Sequence, residues 1–556
     1  MTEPEVIPPL VPAPLARGAR GAVVAPHHLA TAAGLGVLAD GGSAVDAAVA
    51  TNAVLAVVMP NGCGIGGDAF WLVWDEVAGV QTALNGSGRS PAAADAGALR
   101  SRGLDRIPAR GPLSITVPGA VRSWGDAHRR WGRLSLDRVL GPAIEQAEGG
   151  FPAWPGFIAA VETTASRVPI GEWGRGFHAV YRAAGRPWRA GERVRLPALG
   201  RTLRRLAREG TDAFYDSDLA DRVTDALTSV GAPFFVGDLR DHASIWETPI
   251  ATTYRGVRVT THPPNSCGVV ALEILNVLEH LGRPDGRFGA GGWTDPRWIH
   301  LGIEASKRAL VDRDRELADP RSRDVPVERL LAKDYAATVA ATIDDARPDT
   351  SPVPVRTLVG GTIYLAVVDR DGNAVSLIQS NAAGFGSGVV DPVTGVHFQN
   401  RGASFSLEPG HPNELGPRKQ TVHSLLPGML FRRRERRPWV VVGSMGGDIQ
   451  PQIHAQAVSA LVDGHADVAT AVSAARWSVV PDGFVAPPVD VAVEARVEPS
   501  VVDALRGMGH RVRVGGMFDS SFGHCHAIEL VDGGPAARGT LAAATDPRSE
   551  GLPAAR

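Results

Sequence analysis

The pattern of apolar and polar positions changes character near residue 340 of the chain. Before that point the apolar residues recur mostly with helical spacing. Residues 28–40 predict one helix, which Gly41-Gly42 ends, and Ser43 is placed to cap a second, almost entirely apolar helix that ends at Pro60. Helical spacing continues in three further segments, which are residues 123–150, 198–210 and 269–282. The first part of the chain is therefore predicted to be largely helical.

After residue 361 the pattern becomes that of strands. Short alternating or apolar runs predict strands, with one helical stretch at 452–464, and these runs are residues 362–368, 374–380, 395–399, 438–447, 510–515 and 524–531. Between the two parts, residues 344–361 hold three prolines and several polar residues, which is the composition of a linker. Strands that depend on the helices for cover indicate an α+β fold.

The composition is that of a soluble globular protein. The 556 residues are 44% hydrophobic and 21% charged, and a net charge of −2 gives no reason to expect nucleic acid as a partner. No apolar run reaches the roughly 18 residues that cross a bilayer. Residues 1–20 begin acidic and proline-rich, which predicts a flexible tail. Three cysteines are too few for a disulfide framework. We therefore expect a cytoplasmic protein that binds no membrane.

The segment VGGTIYLAVVDRDGNAVSLIQSN predicts a β-hairpin. The Asp-Gly pair between two apolar runs is the strongest short-range signal for a two-residue loop. With that loop Thr362 lies opposite Asn381, and a slip of two residues places it opposite Gln379. Either register puts Ser380 beside Thr362, so the hairpin brings two hydroxyl groups together.

Thr362 directly follows Gly361, and this arrangement suits self-cleavage. Attack of the Thr362 hydroxyl on the Gly361 carbonyl would form an ester, and hydrolysis would leave Thr362 as a new N-terminus whose α-amine is the general base. The alternative interpretation is that Thr362 simply begins a β-strand, as threonine often does.

Two other segments are candidates for parts of a site. A strand, the turn Gly446-Gly447 and a helix could present backbone N–H groups to an oxyanion, a contribution of roughly 3 kcal/mol per donor. A structural glycine turn is the alternative. The polar segment 400–427 carries Arg401 and His423 between strands and has the character of a site loop.

Three weaker signals lead to no cofactor or metal. The GCGIGG of residues 62–67 follows a helix and precedes a strand, the reverse of a dinucleotide-binding loop. His524 and His526 share a strand face, but the sequence offers no third or fourth ligand, so no metal is expected. Cys267 has no assignable base and is interpreted as a structural cysteine.

The ordered segments together resemble the γ-glutamyltransferase family of N-terminal-nucleophile hydrolases. The resemblance runs from Gly21 to Ser549 and includes GGSAVDAAVATNAVLAVVMPNGCGIGGDAFWLV, SITVPGAVRSW, TIYLAVVDRDGNAVSLIQSN, GFGSGVVDPVTGVHFQN, GSMGGDIQPQ and ATDPRS. It implies an α+β fold, a four-layer αββα sandwich, made as one precursor that cuts itself. Residues 21–361 would form a mostly helical large chain and residues 362–556 a strand-rich small chain, and the two would remain together as a heterodimer.

The resemblance also implies the catalytic residues. Thr362 matches the family's nucleophile, and cleavage would fall between Gly361 and Thr362. Ser380 matches the hydroxyl that assists the nucleophile. Gly446 and Gly447 match the oxyanion-hole pair.

The family positions that bind the substrate are altered in this sequence. For the α-carboxylate of a γ-glutamyl group, the arginine's place holds Ser87, Arg89 is displaced by two residues, and the serine pair reads His423 and Ser424. The three positions that bind the α-ammonium hold Ala382, Arg401 and Ser404.

An ammonium close to Arg401 would be repelled, at a cost of several kcal/mol in a partly buried site. We therefore expect the substrate to be a small amide whose acyl part is anionic and lacks an α-ammonium, held by Arg401 with help from Arg89. The QNRG and GGDIQPQ patterns resemble the divergent branch that includes oxamate-type amidohydrolases. Several alternatives stay open: Arg401 in a salt bridge to Glu408 or Asp448, a true γ-glutamyltransferase, acyl transfer to an amine, and an unprocessed binding protein.

Overall fold

The computed structural model describes residues 14–351, 353–354, 360–479 and 491–556. Most of the predicted N-terminal tail, residues 1–13, and the end of the predicted linker, residues 355–359, therefore lie outside the described residues. The helices of the described part are α1 (His28–Ala39), α2 (Ala44–Val58), α3 (Ala96–Ser101), α4 (Ala120–Trp131), α5 (Leu136–Gly149), α6 (Pro155–Ala165), α7 (Arg175–Tyr181), α8 (Pro197–Glu209), α9 (Asp218–Ser229), α10 (Val236–Arg240), α11 (Gly268–His280), α12 (Pro296–Glu316), α13 (Val327–Leu331), α14 (Lys333–Ala340), α15 (Gln450–Val462), α16 (Val468–Ser473) and α17 (Pro499–Met508).

The strands of the described part alternate with the helices before residue 341 and dominate after residue 360. They are β1 (Leu15–Gly18), β2 (Ala22–Val24), β3 (Asp68–Asp75), β4 (Val80–Gly86), β5 (Phe151–Pro152), β6 (Arg193–Val194), β7 (Ile245–Glu247), β8 (Ile250–Tyr254), β9 (Val257–Thr261), β10 (Phe288–Gly289), β11 (Gly292–Trp293), β12 (Gly360–Val368), β13 (Ala374–Ala383), β14 (Pro427–Phe431), β15 (Val440–Met445), β16 (Trp477–Val479), β17 (Val491–Val493), β18 (Val512–Val514), β19 (His524–Val531), β20 (Thr540–Ala544) and β21 (Ala554–Ala555).

The predicted helices near the N-terminus form for the local reasons read from the sequence. The Ser43 hydroxyl caps α2 by accepting a hydrogen bond from the Asp46 N–H, and the Asp46 carboxylate accepts one from the Ser43 N–H. Every residue of α2 is buried, as its all-round apolar pattern predicts. The predicted helical segment 123–150 forms α4 and α5 as two helices.

Two seven-stranded antiparallel sheets form the centre of the molecule. Sheet I has the strand order β21-β2-β12-β13-β3-β4-β7, and sheet II has the order β1-β20-β19-β15-β14-β9-β8. Side chains alternate along β12, so that Ile363 and Leu365 pack beneath the helices on sheet I, whereas Tyr364 and Ala366 pack against sheet II. Helices α11, α15 and α16 cover the other face of sheet II. The fold is therefore the four-layer αββα sandwich that the sequence predicts.

Strands from both sides of the Gly361–Thr362 bond are interleaved in both sheets. In sheet I, β12 pairs with β2 on one side and with β13 on the other, and β13 then pairs with β3. In sheet II, β14 pairs with β9. Cutting the chain before Thr362 separates only Gly360 and Gly361 from β12, so the two pieces would remain paired through the other rungs of these ladders.

The prediction of a flexible tail over residues 1–20 is wrong for residues 15–18. Residues Leu15–Gly18 form β1, which pairs antiparallel with β20 at the edge of sheet II. Leu15 packs against the core on the helical side of that sheet. A short edge strand carries little sequence signal of its own, because its stability comes from the neighbouring strand.

Candidate active site

The β12–β13 hairpin places Thr362 directly opposite Ser380. The predicted partners, Asn381 and Gln379, are therefore wrong by one position, although the expected proximity of the two hydroxyl groups is observed. A β-bulge interrupts the ladder just before Thr362. Bulges bend a strand and redirect its side chains, and this one lies at the peptide bond between Gly361 and Thr362.

The error in register comes from the hairpin loop, which has three residues instead of two. The Asp369 N–H donates to the Asn373 carbonyl at 3.0 Å, and the Asp369 carboxylate accepts from the N–H groups of Asp371 and Asn373 at 2.9 and 3.0 Å. Gly372 has a φ of 90°, which is the left-handed conformation that ends a three-residue loop. The side chain of Asp369 thus selects the longer loop.

Ser380 Oγ is the centre of a hydrogen-bond network at the end of the hairpin. It lies 2.8 Å from Thr362 Oγ1 and 2.8 Å from the Gly361 carbonyl oxygen, and it accepts from the Ala382 N–H at 2.8 Å. A carbonyl only accepts, so the single Ser380 proton points at Gly361. The Thr362 hydroxyl then donates to Ser380. This leaves the Thr362 oxygen lone pairs available and polarises the Gly361 carbonyl.

Gly446 and Gly447 join β15 to a short 3-10 turn and then to α15. Their φ angles are 154° and 63°. Gly446 lines the same cleft as Thr362. The side-chain amide nitrogen of Gln450 donates to the Ser424 and Ser444 carbonyls at 2.9 and 3.1 Å. The side-chain oxygen of Gln450 accepts from the buried Gly447 N–H at 3.3 Å. Of the two predicted oxyanion donors, Gly446 is therefore the one at the surface of the cleft.

Two cavities meet beside the hairpin. The larger, a cleft of about 1930 Å³ that includes space open to solvent, is lined by Thr362 and Gly446. The smaller has about 520 Å³, which also includes space open to solvent, and we call it the Arg401 pocket. Asp448 lines both cavities, which places the pocket next to the nucleophile's cleft. The pocket is lined, among others, by Ala382, Arg401, Ser404, Ser424, Arg313 and Asp448.

The Arg401 guanidinium is buried in the pocket wall with few partners. Its Nη1 lies 3.4 Å from Ser404 Oγ, and its Nε has no hydrogen-bond partner among the residues that the structure describes. Within the described residues Arg401 has no ion pair with Glu408 or Asp448, because Asp448 pairs with Arg313 at 2.9 Å. Burial lowers the pKa of Arg401, opposed by the charge of a neighbouring carboxylate, but an arginine stays protonated under ordinary conditions. A buried cation with unused donors is suited to an anionic ligand.

His423 was expected to bind substrate, but it does not line the pocket. Its ring lies against Phe70, with centroids 5.0 Å apart, and its Nε2 lies 2.9 Å from Asp68 Oδ2. Burial and the charge of Arg401 hold the pKa of His423 well below its usual value. Burial raises the pKa of Asp68 to about 7. The neutral imidazole thus belongs to the layer between the sheets, whereas its neighbour Ser424 faces the pocket.

Arg89 also lies away from the pocket. It lines a separate cavity of about 290 Å³ with Asp238 and Arg418. The turn before it is held in place because the Gly88 N–H donates to Asp68 Oδ1 at 2.8 Å and the Arg89 carbonyl accepts from the Val117 N–H at 2.9 Å. This turn directs the Arg89 side chain away from the Arg401 pocket. The geometry therefore does not support the expectation that Arg89 helps Arg401 to bind the same carboxylate.

Sequence reasoning assigned no role to Asp68 or Arg313. Asp68 begins β3, directly opposite Ser380, in the segment GIGGDAF. A carboxylate at the start of a largely apolar strand is a signal, but its side-chain partner, His423, lies 355 positions away in the sequence. Arg313 lies on α12 and approaches Asp448 only through tertiary packing.

The histidines and cysteine that gave weaker signals are buried. Neither ring nitrogen of His524 has a hydrogen-bond partner, and the Asp546 N–H donates to His526 Nδ1 at 3.1 Å. Cys267 lines the Arg401 pocket, and burial raises the pKa of its thiol to about 12. A metal was not expected, and nothing at His524 and His526 changes that prediction. Across the described ranges, none of the helices combines the length and the apolar character needed to cross a bilayer.

Comparisons with known proteins agree with this geometry. The family model for γ-glutamyltranspeptidases matches residues 30–555. The chain is 37% identical over 540 residues to an oxamate amidohydrolase proenzyme of Klebsiella pneumoniae, covering 96% of this chain and 98% of that protein. It is 36% identical over 535 residues to the glutathione hydrolase-like YwrD proenzyme of Bacillus subtilis, covering 96% and 98%.

The fold comparison gives the same result. The crystal structure of a cephalosporin acylase from Bacillus halodurans superposes with a TM-score of 0.89 at 35% sequence identity, covering 100% of this chain and 99% of that one. The family and the class of enzyme predicted from the sequence are thereby confirmed. The chain belongs to the γ-glutamyltranspeptidase family and is an enzyme of the N-terminal-nucleophile hydrolase type.

Proposed function

We propose that this enzyme cuts itself before Thr362 and then uses Thr362 to hydrolyse amides whose acyl part carries an anionic group but no α-ammonium. The observation that carries the proposal is the buried Arg401 guanidinium, which lines a pocket beside the nucleophile and whose Nε has no partner within the described ranges. The coarser statement, an amidohydrolase of this family made as a proenzyme, follows from its relatives.

The self-cleavage step uses the network around Ser380. Thr362 Oγ1 attacks the Gly361 carbonyl carbon, the C–N bond breaks, and an ester forms while the Thr362 nitrogen gains a proton. Ser380 accepts the hydroxyl proton of Thr362 and donates its own to the Gly361 oxygen, in keeping with its 2.8 Å contacts to both. When the C–N bond breaks, this oxygen passes the proton to the Thr362 nitrogen and the carbonyl re-forms. Water then hydrolyses the ester, which leaves a carboxylate on Gly361 and a free α-amine on Thr362.

Turnover repeats this chemistry on a bound amide. The α-amine of Thr362 takes the hydroxyl proton, Oγ1 attacks the amide carbon, and the leaving amine departs with a proton. The Gly446 N–H stabilises the oxyanion at the surface of the cleft, with the Gly447 N–H as the second proposed donor. Water hydrolyses the acyl-enzyme and releases an acid.

The charge of the pocket selects the acyl group. A carboxylate accepts hydrogen bonds from Arg401, with Ser404 and Ser424 on the same wall. An ammonium at that place would meet like charge in a dry site, at a cost of several kcal/mol. Oxamate, for which one relative is named, is an amide whose acyl part carries a carboxylate and no ammonium. This agreement supports the proposed substrate class.

The test compares two substrates that differ by one group. Glutaryl-p-nitroanilide is γ-glutamyl-p-nitroanilide without the α-ammonium. We expect kcat/KM to be at least about 10-fold higher for the glutaryl compound, which corresponds to about 1.4 kcal/mol, and we expect release of ammonia from oxamate. A preference for the γ-glutamyl compound would show that the pocket still accepts the ammonium, and the proposal would be wrong.

Processing is tested separately on a denaturing gel. Dividing the mass of 58.3 kDa in proportion to length, the two chains should run at about 38 and 20 kDa. A full-length band that persists on long incubation would mean that the purified protein does not mature by itself, as the binding-protein alternative requires.

A further inference from the structure

Asp68 occupies a position next to the reaction centre that the chemistry above does not use. It lies directly opposite Ser380 in sheet I, and Ser380 lies directly opposite Thr362. Residues opposite each other in an antiparallel pair share one face of the sheet. Three adjacent strands therefore present Thr362, Ser380 and Asp68 in one row toward sheet II, and Asp68 is completely buried.

The hydrogen bonds of Asp68 lead away from Ser380. Its carboxylate accepts from the Gly88 N–H at 2.8 Å and contacts His423 Nε2 at 2.9 Å. Ser380 Oγ already makes hydrogen bonds to three other groups. Asp68 therefore does not accept a proton from the hydroxyl groups of Thr362 and Ser380. Its charge acts on a group outside this pair.

Backbone contacts tie the segment that carries Asp68 to the segment that carries Arg401. Gly66 forms a parallel bridge with Phe398, and the Gln399 N–H donates to the Gly66 carbonyl at 3.1 Å. Arg401 follows two residues later. His423 contacts Asp68 directly, and its carbonyl accepts from the N–H of Cys267, which lines the Arg401 pocket.

Asp448 and Asp314 line the Arg401 pocket, and each has another partner. The charge of Asp68 opposes the lowering of the Arg401 pKa by burial more strongly than any other charge does. Cys267 is a neutral thiol, because burial raises its pKa to about 12. In the described part of the chain Arg401 and Asp68 make no direct ion pair, so the attraction acts over a longer distance through a buried medium, where screening is weak.

We propose that Asp68 is the resident counter-ion of Arg401 and that its charge limits how tightly the pocket holds an anionic acyl group. The affinity part rests on the proposed function. In the empty enzyme the carboxylate offsets a buried cation that would otherwise be costly. When an acyl carboxylate enters, it is attracted by Arg401 and repelled by Asp68. Binding is therefore weaker than to Arg401 alone, and this favours release of the acid product.

The first test is a double-mutant cycle on thermal unfolding with the variants Asp68→Asn, Arg401→Gln and the pair. Measurements at pH 8.5 keep Asp68 ionised, because its pKa is raised to about 7. We expect Asp68→Asn alone to lower the melting temperature by roughly 3 °C or more and to cost much less when Arg401 is already Gln. Asp369→Asn is the matched control, a buried carboxyl at the far end of the hairpin, roughly 20 Å from Thr362. Asp369→Asn should lower the melting temperature by the same amount in the wild-type background and in the Arg401→Gln background.

The second test is calorimetric titration with glutarate, a mimic of the acid product. Removing the charge of Asp68 should tighten binding about 10-fold, whereas general damage to the pocket would weaken it. Equal or weaker binding by Asp68→Asn, or an equal stability cost in both backgrounds, overturns the proposal. Should Asp68→Asn fail to fold, folding of the double variant supports the proposal, and failure of both overturns it.

These tests separate the counter-ion from the proposed function. If Arg401→Gln leaves the affinity for glutarate unchanged, Arg401 does not hold the acyl anion. The proposed substrate class is then wrong, and so is the proposed effect of Asp68 on affinity. The coupling in melting temperature depends only on the two charges of the empty enzyme. It therefore decides the counter-ion role independently of the substrate.

Discussion

The reaction centre and the Arg401 pocket are adjacent, but the chain builds them in different ways. Thr362 and Ser380 come from one hairpin and are 18 residues apart. The pocket draws its wall from α12, from the end of β13, from the segment before β14 and from the turn before α15. A hairpin sets its pairs through a local register. The pocket exists only when segments from both parts of the chain have packed together.

The two regions also differ in how well their polar groups are satisfied. At the reaction centre Ser380 has partners for its proton and its lone pairs. In and behind the pocket, Arg401 Nε and His423 Nδ1 have none in the described part of the chain. A buried polar group without a partner costs about 1–3 kcal/mol. The Ser380 hydroxyl is thus satisfied as it stands, whereas the pocket has a donor that a bound anion would satisfy. Specificity can therefore change in the pocket while the chemistry of the hairpin stays the same.

The largest expected effect comes from replacing the nucleophile. Thr362→Ala removes the attacking oxygen, so we expect neither self-cleavage on a denaturing gel nor release of p-nitroaniline from glutaryl-p-nitroanilide. Thr362→Ser is the matched control, because it keeps the hydroxyl, and it should still mature. Normal maturation and turnover in the alanine variant would exclude Thr362 as the nucleophile.

Replacing Ser380 should have the next largest effect. Ser380→Ala removes the group that accepts the Thr362 proton and polarises the Gly361 carbonyl, so we expect self-cleavage to slow about 100-fold or more. The measurement is the rate at which the full-length band disappears. Ser380→Thr keeps a hydroxyl at the same place and should process faster than the alanine variant. Equal rates for the two variants would mean that the hydroxyl has no part in the step.

Replacing Arg401 should affect the pocket and spare the hairpin. We expect Arg401→Gln to process normally but to lose about 100-fold in kcat/KM for glutaryl-p-nitroanilide, since a charge-assisted pair is worth roughly 2–3 kcal/mol. Butyryl-p-nitroanilide, which lacks the terminal carboxylate, should change by less than about 3-fold. Arg401→Lys keeps the charge without the paired donors and should lie between. An equal loss on both substrates would mean that Arg401 serves the structure and not the acyl carboxylate.

This difference between the regions explains how much could be predicted from the sequence. The proximity of Thr362 and Ser380 followed from the hairpin signal alone, and the register was wrong by one position only because Asp369 selects a longer loop. The pocket was harder. Arg401, Ser404 and Ser424 line it as expected, but neither Arg89 nor His423 does. Their directions are set by contacts with Asp68 and its neighbours across the fold, and these contacts leave no local pattern.

The smallest expected effect on activity comes from the loop end of the same hairpin. In Gly372→Ala the residue keeps a φ of 90°, and its Cβ would lie 2.6 Å from the Cβ of Ala536. We expect a loss of about 1–2 kcal/mol in the free energy of unfolding, measured by urea denaturation, with self-cleavage and kcat/KM unchanged within about 2-fold. Gly41→Ala is the matched control, because Gly41 has the same φ of 90° with no atom within 4 Å of the added Cβ. It should lose only the part due to the backbone. A large fall in activity of Gly372→Ala at normal stability would mean that strain in the loop reaches Thr362 despite the pairing of β12 with β2 and of β13 with β3.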